Sequence, residues 1–215
     1  MKKRKTVDAR KRTRVRQSRP STRAAALSGN AVFLVGFMGA GKSSVGRALG
    51  QRLNWVFEDL DDRIEAREGR TVAEIFRDSG ESEFRRAERA ALEHVLRELR
   101  GGGARIIALG GGAFVQKENA ALLKRSGVPT VFLDAPVEEL WQRCCTQARE
   151  TGAERPLLRS REQFRDLYET RSRSYSKATL KIPTAARGVE TIAAEIANTL
   201  GLATIELRTE QGEVE

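Results

Sequence analysis

Hydrophobic and polar positions along the chain follow two rhythms. Short apolar runs, residues 31–35 (AVFLV), 105–109 (RIIAL) and 130–133 (TVFL), have the length and β-rich composition of strands buried on both faces. Residues 55–57 and 179–182 predict two further short strands. Between these runs the apolar spacing lengthens to three and four. Val45, Leu49 and Leu53 share one helical face, as do Phe84, Ala87, Ala91, Val95 and Leu99. Helices are predicted over 117–125, 137–147, 161–175 and 189–200. The stretch 62–100 reads as helix broken at Gly69 and Gly80, giving a short helix over 71–77 and a long one over 81–100. Residues 148–161 are polar, carry Gly152 and Pro156, and read as a mobile loop. Five strands separated by helices require right-handed crossovers and predict an α/β protein with a parallel sheet covered on both faces. Ligands of such sheets gather at the carboxyl ends of the strands.

That rule makes the residues just past each strand the informative ones. The first strand runs into Gly36-x-x-x-x-Gly41-Lys42-Ser43 and then into a helix, the order that a phosphate-binding loop requires. Glycines at 36, 39 and 41 allow backbone conformations that a Cβ would block, so N–H groups can turn toward phosphate oxygens at the positive end of the helix. Lys42 would reach the β- and γ-phosphates, and the Ser43 hydroxyl would ligate Mg²⁺. The pattern points to a nucleoside triphosphate. The second strand delivers Asp59 and Asp61, which share a side if the strand continues through them. The third delivers Gly110, Gly111 and Gly112, where a ligand can lie against backbone. Gly101 to Gly103 form another triplet, read as the turn before that strand.

Composition narrows the class. A chain of 215 residues suits one sizeable α/β domain. Cys144 and Cys145 are adjacent in a predicted helix, which argues against a disulfide or a cysteine-based zinc site, and a single histidine, His94, rules out a His cluster. His94 itself reads as an ordinary polar residue on a helix. No apolar run approaches the roughly 18 residues of a membrane span, and a reducing, cytoplasmic setting is expected. The formal charge of +10 belongs to the first 28 residues, which hold eleven Lys or Arg against one acid, Asp8; the remainder balances. This segment lacks the apolar residues to bury a core and is expected to be disordered. Three readings of it stand: a solvated extension without a role, an arm for weak, non-specific nucleic-acid contact, or an organelle transit peptide.

Taken in order, Gly36 to Ser43 with Val45-Gly46-Arg47, Asp59-x-Asp61, Phe84-Arg85-x-x-Glu88, Gly110-Gly111-Gly112, Arg155-Pro156-Leu157-Leu158 and Arg171-x-x-x-Tyr175 resemble the motif set of the shikimate kinase family, over about residues 30–200. The resemblance implies a three-layer P-loop kinase fold with a five-stranded parallel sheet over residues 29–202, flanked by the basic tail 1–28 and a flexible segment 203–215. It implies a monomeric enzyme that uses ATP and Mg²⁺ to phosphorylate the 3-hydroxyl of shikimate. By motif, Gly39, Ala40, Gly41, Lys42, Ser43, Ser44 and Arg155 would bind nucleotide, and Ser43 and Asp59 would hold Mg²⁺ directly or through water. Asp61, Arg85, Gly110, Gly111, Gly112 and Arg171 would bind substrate, with Glu88 orienting Arg85; Lys42, Asp61 and a lid residue, Arg155, would carry catalysis. Phe76 and Phe84 are implied as pocket walls, with a plain core role as the alternative.

Elementary chemistry asks for the same parts. Phosphoryl transfer needs in-line positioning and charge neutralisation. An anionic, polyhydroxylated substrate calls for guanidinium forks at its carboxylate and a carboxylate at its hydroxyls. The segment before Arg155 is longer than the family pattern, which leaves Arg143 and Arg149 both open as the adenine-contacting arginine; residues 184–188 carry no specific signal. Two other readings stay open: a related small-molecule kinase such as a gluconate kinase, and a shikimate-kinase-like ligand sensor of a nucleic-acid-binding regulator. The second would need a folded DNA reader, which the tail cannot supply.

Overall fold

All five residues of β1 (Ala31–Val35) are buried, because the strand lies at the centre of the sheet with helices over both faces. β3 (Arg105–Ala108) and β4 (Thr130–Asp134) flank it, with β2 (Val56–Asp59) outside the first and β5 (Leu180–Pro183) outside the second. Every pairing in the order β2-β3-β1-β4-β5 is parallel, as strands joined through helices demand. The computed structural model describes residues 30–151 and 160–204. The expectations for the basic tail, for Arg155 and the centre of the 148–161 loop, and for the C-terminal segment beyond residue 204 fall outside the described residues. Among the described residues seven α-helices cover this sheet: α1 (Lys42–Leu53), α2 (Leu60–Glu68), α3 (Val72–Arg100), α4 (Lys117–Ser126), α5 (Val137–Thr151), α6 (Arg161–Tyr175) and α7 (Val189–Leu200).

Local chemistry sets the helix ends that matter for the site. Gly69 takes a left-handed conformation (φ 66°) and stops α2. Two residues on, Thr71 opens α3 with a reciprocal capping box. Its N–H donates to Glu74 Oε2 at 2.8 Å, and Glu74 N–H donates to Thr71 Oγ1 at 3.2 Å. At Gly80 the backbone leaves helical space (φ 78°, ψ 174°), so the two helical stretches expected around it are arms of one bent helix.

Three features differ from the pattern-based reading by more than one residue at an element's end. β2 starts at Val56 and stops at Asp59, and Leu60 already begins α2. Asp61 therefore lies in the first turn of a helix, and its relation to Asp59 comes from capping instead of strand alternation. α5 continues through 148–151, which were expected as loop, because no breaker precedes Gly152 and Gln147 to Glu150 are all good helix formers. A 3-10 turn at Ala113–Val115, without a signal in the apolar spacing, follows the glycine triplet.

The turn from α1 into β2 is tight. Trp55 N–H donates to Gly50 O at 2.9 Å, and Asn54 sits left-handed at φ 55°. A Cβ on Gly50 would stand 2.8 Å from the Trp55 carbonyl oxygen, a backbone atom with little room to move. Alanine is the better helix former by about 1 kcal/mol, yet Gly50→Ala is expected to destabilise by about 1–3 kcal/mol through overpacking. Urea denaturation measures this directly. A variant as stable as wild type, or more so, would mean the turn is not held as described.

Candidate functional site

The loop after β1 is shaped by left-handed glycines. Gly39 has φ 78°, and a Cβ there would meet the Leu140 carbonyl oxygen at 2.7 Å and Cys144 Sγ at 2.9 Å on α5. Gly41, at φ 87°, is the N-cap of α1, so the first N–H groups of that helix border the loop. Lys42 folds back across the loop and donates from Nζ to Gly36 O at 3.0 Å and Phe37 O at 3.1 Å. Phe37, fully buried, meets Phe164 and Tyr168 of α6 edge-on with centroids 5.0 and 5.5 Å apart. Aromatic packing thus anchors the loop from below and leaves its backbone facing outward.

Two aspartates stand in front of it. Asp59 closes β2 and caps α2, accepting the Asp61 N–H at 3.1 Å through Oδ1. Its Oδ2 accepts the Ser43 hydroxyl at 2.9 Å. Asp61 turns toward the end of β3, where a Cβ on Gly110 would lie 2.7 Å from its Oδ1. That Oδ1 is buried with no hydrogen-bond partner among the described residues. Burial first, then the Asp59 charge, push the Asp61 carboxyl up to about 6, against the pull of Lys42. An orphaned acceptor beside a lysine calls for a donor, and a substrate hydroxyl is such a donor.

Beyond Asp61 lie two guanidinium groups. Arg85 Nη1 donates to both oxygens of the fully buried Glu88 (3.2 and 3.1 Å), while its Nε and Nη2 bind Glu81 at 3.2 and 2.9 Å. Burial pushes the Glu88 carboxyl up to about 7 in spite of Arg85. A Cβ on Gly112 would strike Arg85 Nη1 at 2.5 Å, so this glycine is required for the close approach. Arg171 of α6 donates from Nη1 to Gly111 O at 3.2 Å, as does the Tyr175 hydroxyl one turn later. Arg85 and Arg171 therefore sit against the same glycine loop whose first residue faces Asp61. Phe84 is buried in the core, with the half-buried Phe76 packed on it at 4.5 Å between centroids. His94 is an exposed helical residue within 3.0 Å of Glu98, away from the loop.

A cavity of about 660 Å³ runs from Asp61, Gly110 and Gly111 across Gly39 to Ser44 and on to Thr184, Arg187 and Val189. Of the two arginines left open by spacing, one stands on its far wall. Arg143 lines the cavity, donating from Nη1 to Gly39 O at 3.3 Å and from Nη2 to Thr184 O at 3.1 Å, and it pairs with Glu139. Arg149, further along α5, is exposed and not part of this wall. Thr184 and Arg187 line the cavity from a stretch that carried no signal, whereas Tyr175 stood in a recognisable spacing from Arg171. The oxygen-rich set of Ser43 and Asp59 fits a hard divalent cation held partly by phosphate and water. Among the described residues no helix is long and apolar enough to cross a membrane.

A family model for shikimate kinase matches residues 38–201. The shikimate kinase of Geobacter metallireducens is 42% identical over 179 residues, covering 82% of this chain and 94% of that protein. The shikimate kinase of Persephonella marina is 37% identical over 166 residues, covering 77% and 95%. Among solved structures, shikimate kinase from Acinetobacter baumannii in complex with shikimate superposes with a TM-score of 0.71 at 34% identity, covering 83% of this chain and 96% of that one.

The raised Asp61 pKa has a consequence for stability. The folded state holds this proton up to about pH 6, while the unfolded chain releases it near 3.8, so the carboxylate costs stability that grows as pH rises between those values. Asp61→Asn removes the cost. The ligand-free variant is expected to be more stable than wild type by about 1–3 kcal/mol at pH 7.5 and to show little gain at pH 4. Thermal or urea unfolding at the two pH values checks it; a variant less stable at pH 7.5 would place Asp61 in a solvated or ion-paired setting.

Proposed function

The chain belongs to the shikimate kinase family, and from that premise we propose that it transfers the γ-phosphoryl group of ATP to the 3-hydroxyl of shikimate, giving shikimate 3-phosphate and ADP for aromatic amino-acid biosynthesis. The observation that supports this most is the Asp61 Oδ1, unpartnered among the described residues, facing the glycine triplet in the same cavity as the phosphate-binding loop. ATP lies with its phosphates on Gly39, Ala40, Gly41, Ser43 and Ser44 and its base toward Arg143, Thr184 and Arg187. Lys42 leaves the Gly36 and Phe37 carbonyls for the β- and γ-phosphates, exchanging neutral acceptors for charged ones. Ser43 and Asp59 would hold Mg²⁺, which when bound neutralises phosphate charge and orients the γ-phosphoryl group.

Shikimate's carboxylate is gripped by the forks of Arg85 and Arg171 beside Gly111 and Gly112, and a ring hydroxyl reaches Asp61. The buried Glu88 holds Arg85 through Nη1, while Nε and Nη2, paired with the exposed Glu81, exchange that partner for the carboxylate. The 3-hydroxyl oxygen attacks the γ-phosphorus while the bond to the ADP oxygen breaks, and its proton passes to Asp61. Lys42 and, by its motif, Arg155 stabilise charge on the transferring group. We read the enzyme as a cytoplasmic monomer and assign the basic residues 1–28 no part in turnover; weak polyanion contact is their one proposed role.

A coupled ADP-release assay with shikimate, quinate and gluconate side by side tests this reading. Shikimate is expected to be strongly preferred. Lys42→Ala and Arg155→Ala should each lower kcat by about 10²-fold or more, the scale of a lost charge-stabilising donor. Asp61→Asn should bind nucleotide normally and lose turnover. Equal rates on gluconate, or a normal kcat for Asp61→Asn, would contradict it.

A further inference from the structure

One carbonyl at the substrate end takes two donors. Gly111 O accepts Arg171 Nη1 at 3.2 Å and also the hydroxyl of Tyr175. The donors lie four residues apart on α6 and so share one face. Their freedom differs. Tyr175 is fully buried, its ring stacked on Phe132 of β4 with centroids 5.3 Å apart and planes 29° apart. Arg171 is half-buried at the mouth of the site, 5.9 Å over the Phe37 ring. An arginine that grips an incoming carboxylate must loosen what it holds in the empty site. Gly111 itself is half-buried, and its carbonyl left without a donor forfeits a hydrogen bond, a loss that would be charged against substrate binding.

We infer that Tyr175 is a positioning residue that keeps the Gly111 carbonyl satisfied and so frees Arg171 for the substrate's carboxylate. The inference rests on the assignment of Arg171 to shikimate. Burial pushes the Tyr175 phenol up to about 12 despite the Arg171 charge and a hydrogen bond from Arg171 to its oxygen, so it remains a donor to Gly111 through neutral pH while Arg171 can leave. Tyr168, the other tyrosine, cannot stand in, because its hydroxyl donates to Asp134 Oδ1 at 3.2 Å. A rigid donor holds the loop while a mobile one changes partner.

Tyr175→Phe removes the hydroxyl and keeps the stacked ring. In the coupled assay its KM for shikimate should rise about five- to tenfold, the scale of one hydrogen bond, while kcat and the KM for ATP stay within about twofold. In an Arg171→Ala background, where no fork remains to be freed, the same change should raise the shikimate KM by less than about threefold. An unchanged shikimate KM, an equal rise in the KM for ATP, full additivity in the cycle, or a variant that fails to fold would each assign the hydroxyl to plain structure and overturn the inference. If wild type itself does not turn over shikimate, the functional reading falls and takes the inference with it. An active wild type with an unaltered Tyr175→Phe removes the inference alone.

Discussion

One carboxylate joins the two halves of this site. Asp59 accepts the Ser43 hydroxyl with one oxygen and the Asp61 N–H with the other. The first contact reaches the helix that begins at the phosphate-binding loop; the second fixes the start of α2. Asp61 therefore cannot move independently of the loop whose lysine lies beside it. A carboxylate so placed, buried beside a second acid, would ordinarily pick up a proton, and the pKa near 6 records that tension with Lys42. Strain of this kind belongs at a site that must bind and deprotonate something.

The sheet exists to hold those parts at one level. β1 ends in the loop, β2 in Asp59, and β3 in Gly110, with β1 paired to β3 and β3 paired to β2. Carboxyl ends of adjacent parallel strands are neighbours by construction. Glycines are needed where side chains cross the strand ends: Asp61 over Gly110 and the Arg85 fork over Gly112. α6 closes the arrangement from the other side, with Phe164 and Tyr168 under the loop and Arg171 and Tyr175 at Gly111.

Much of this was legible in the sequence, for physical reasons. A phosphate-binding loop must be written in glycine, lysine and serine at fixed spacing, and buried parallel strands must be apolar runs, so both are local signals. The glycine triplet at 110–112 gained its meaning from position at a strand's end. What escaped was long-range. Arg143 meets Gly39 across 104 residues, and Tyr175 meets Gly111 across 64, distances over which no periodicity speaks. Spacing left Arg143 and Arg149 equal; packing puts Arg143 on the cavity wall and leaves Arg149 exposed. The capping relation of Asp59 to Asp61 was hidden for a different reason: an alternating strand and a strand-to-helix junction look alike over three residues.

Under the proposed function, one cavity seats the nucleotide's phosphates on the Lys42 loop and the acceptor hydroxyl on Asp61. A crystal structure of the full chain with ADP, Mg²⁺ and shikimate addresses it most directly. The 3-hydroxyl oxygen is expected within hydrogen-bond reach of Asp61, roughly 2.6–3.2 Å, and the carboxylate on Arg85 and Arg171. A ring bound with its carboxylate toward the P-loop, or its hydroxyls away from Asp61, would contradict it.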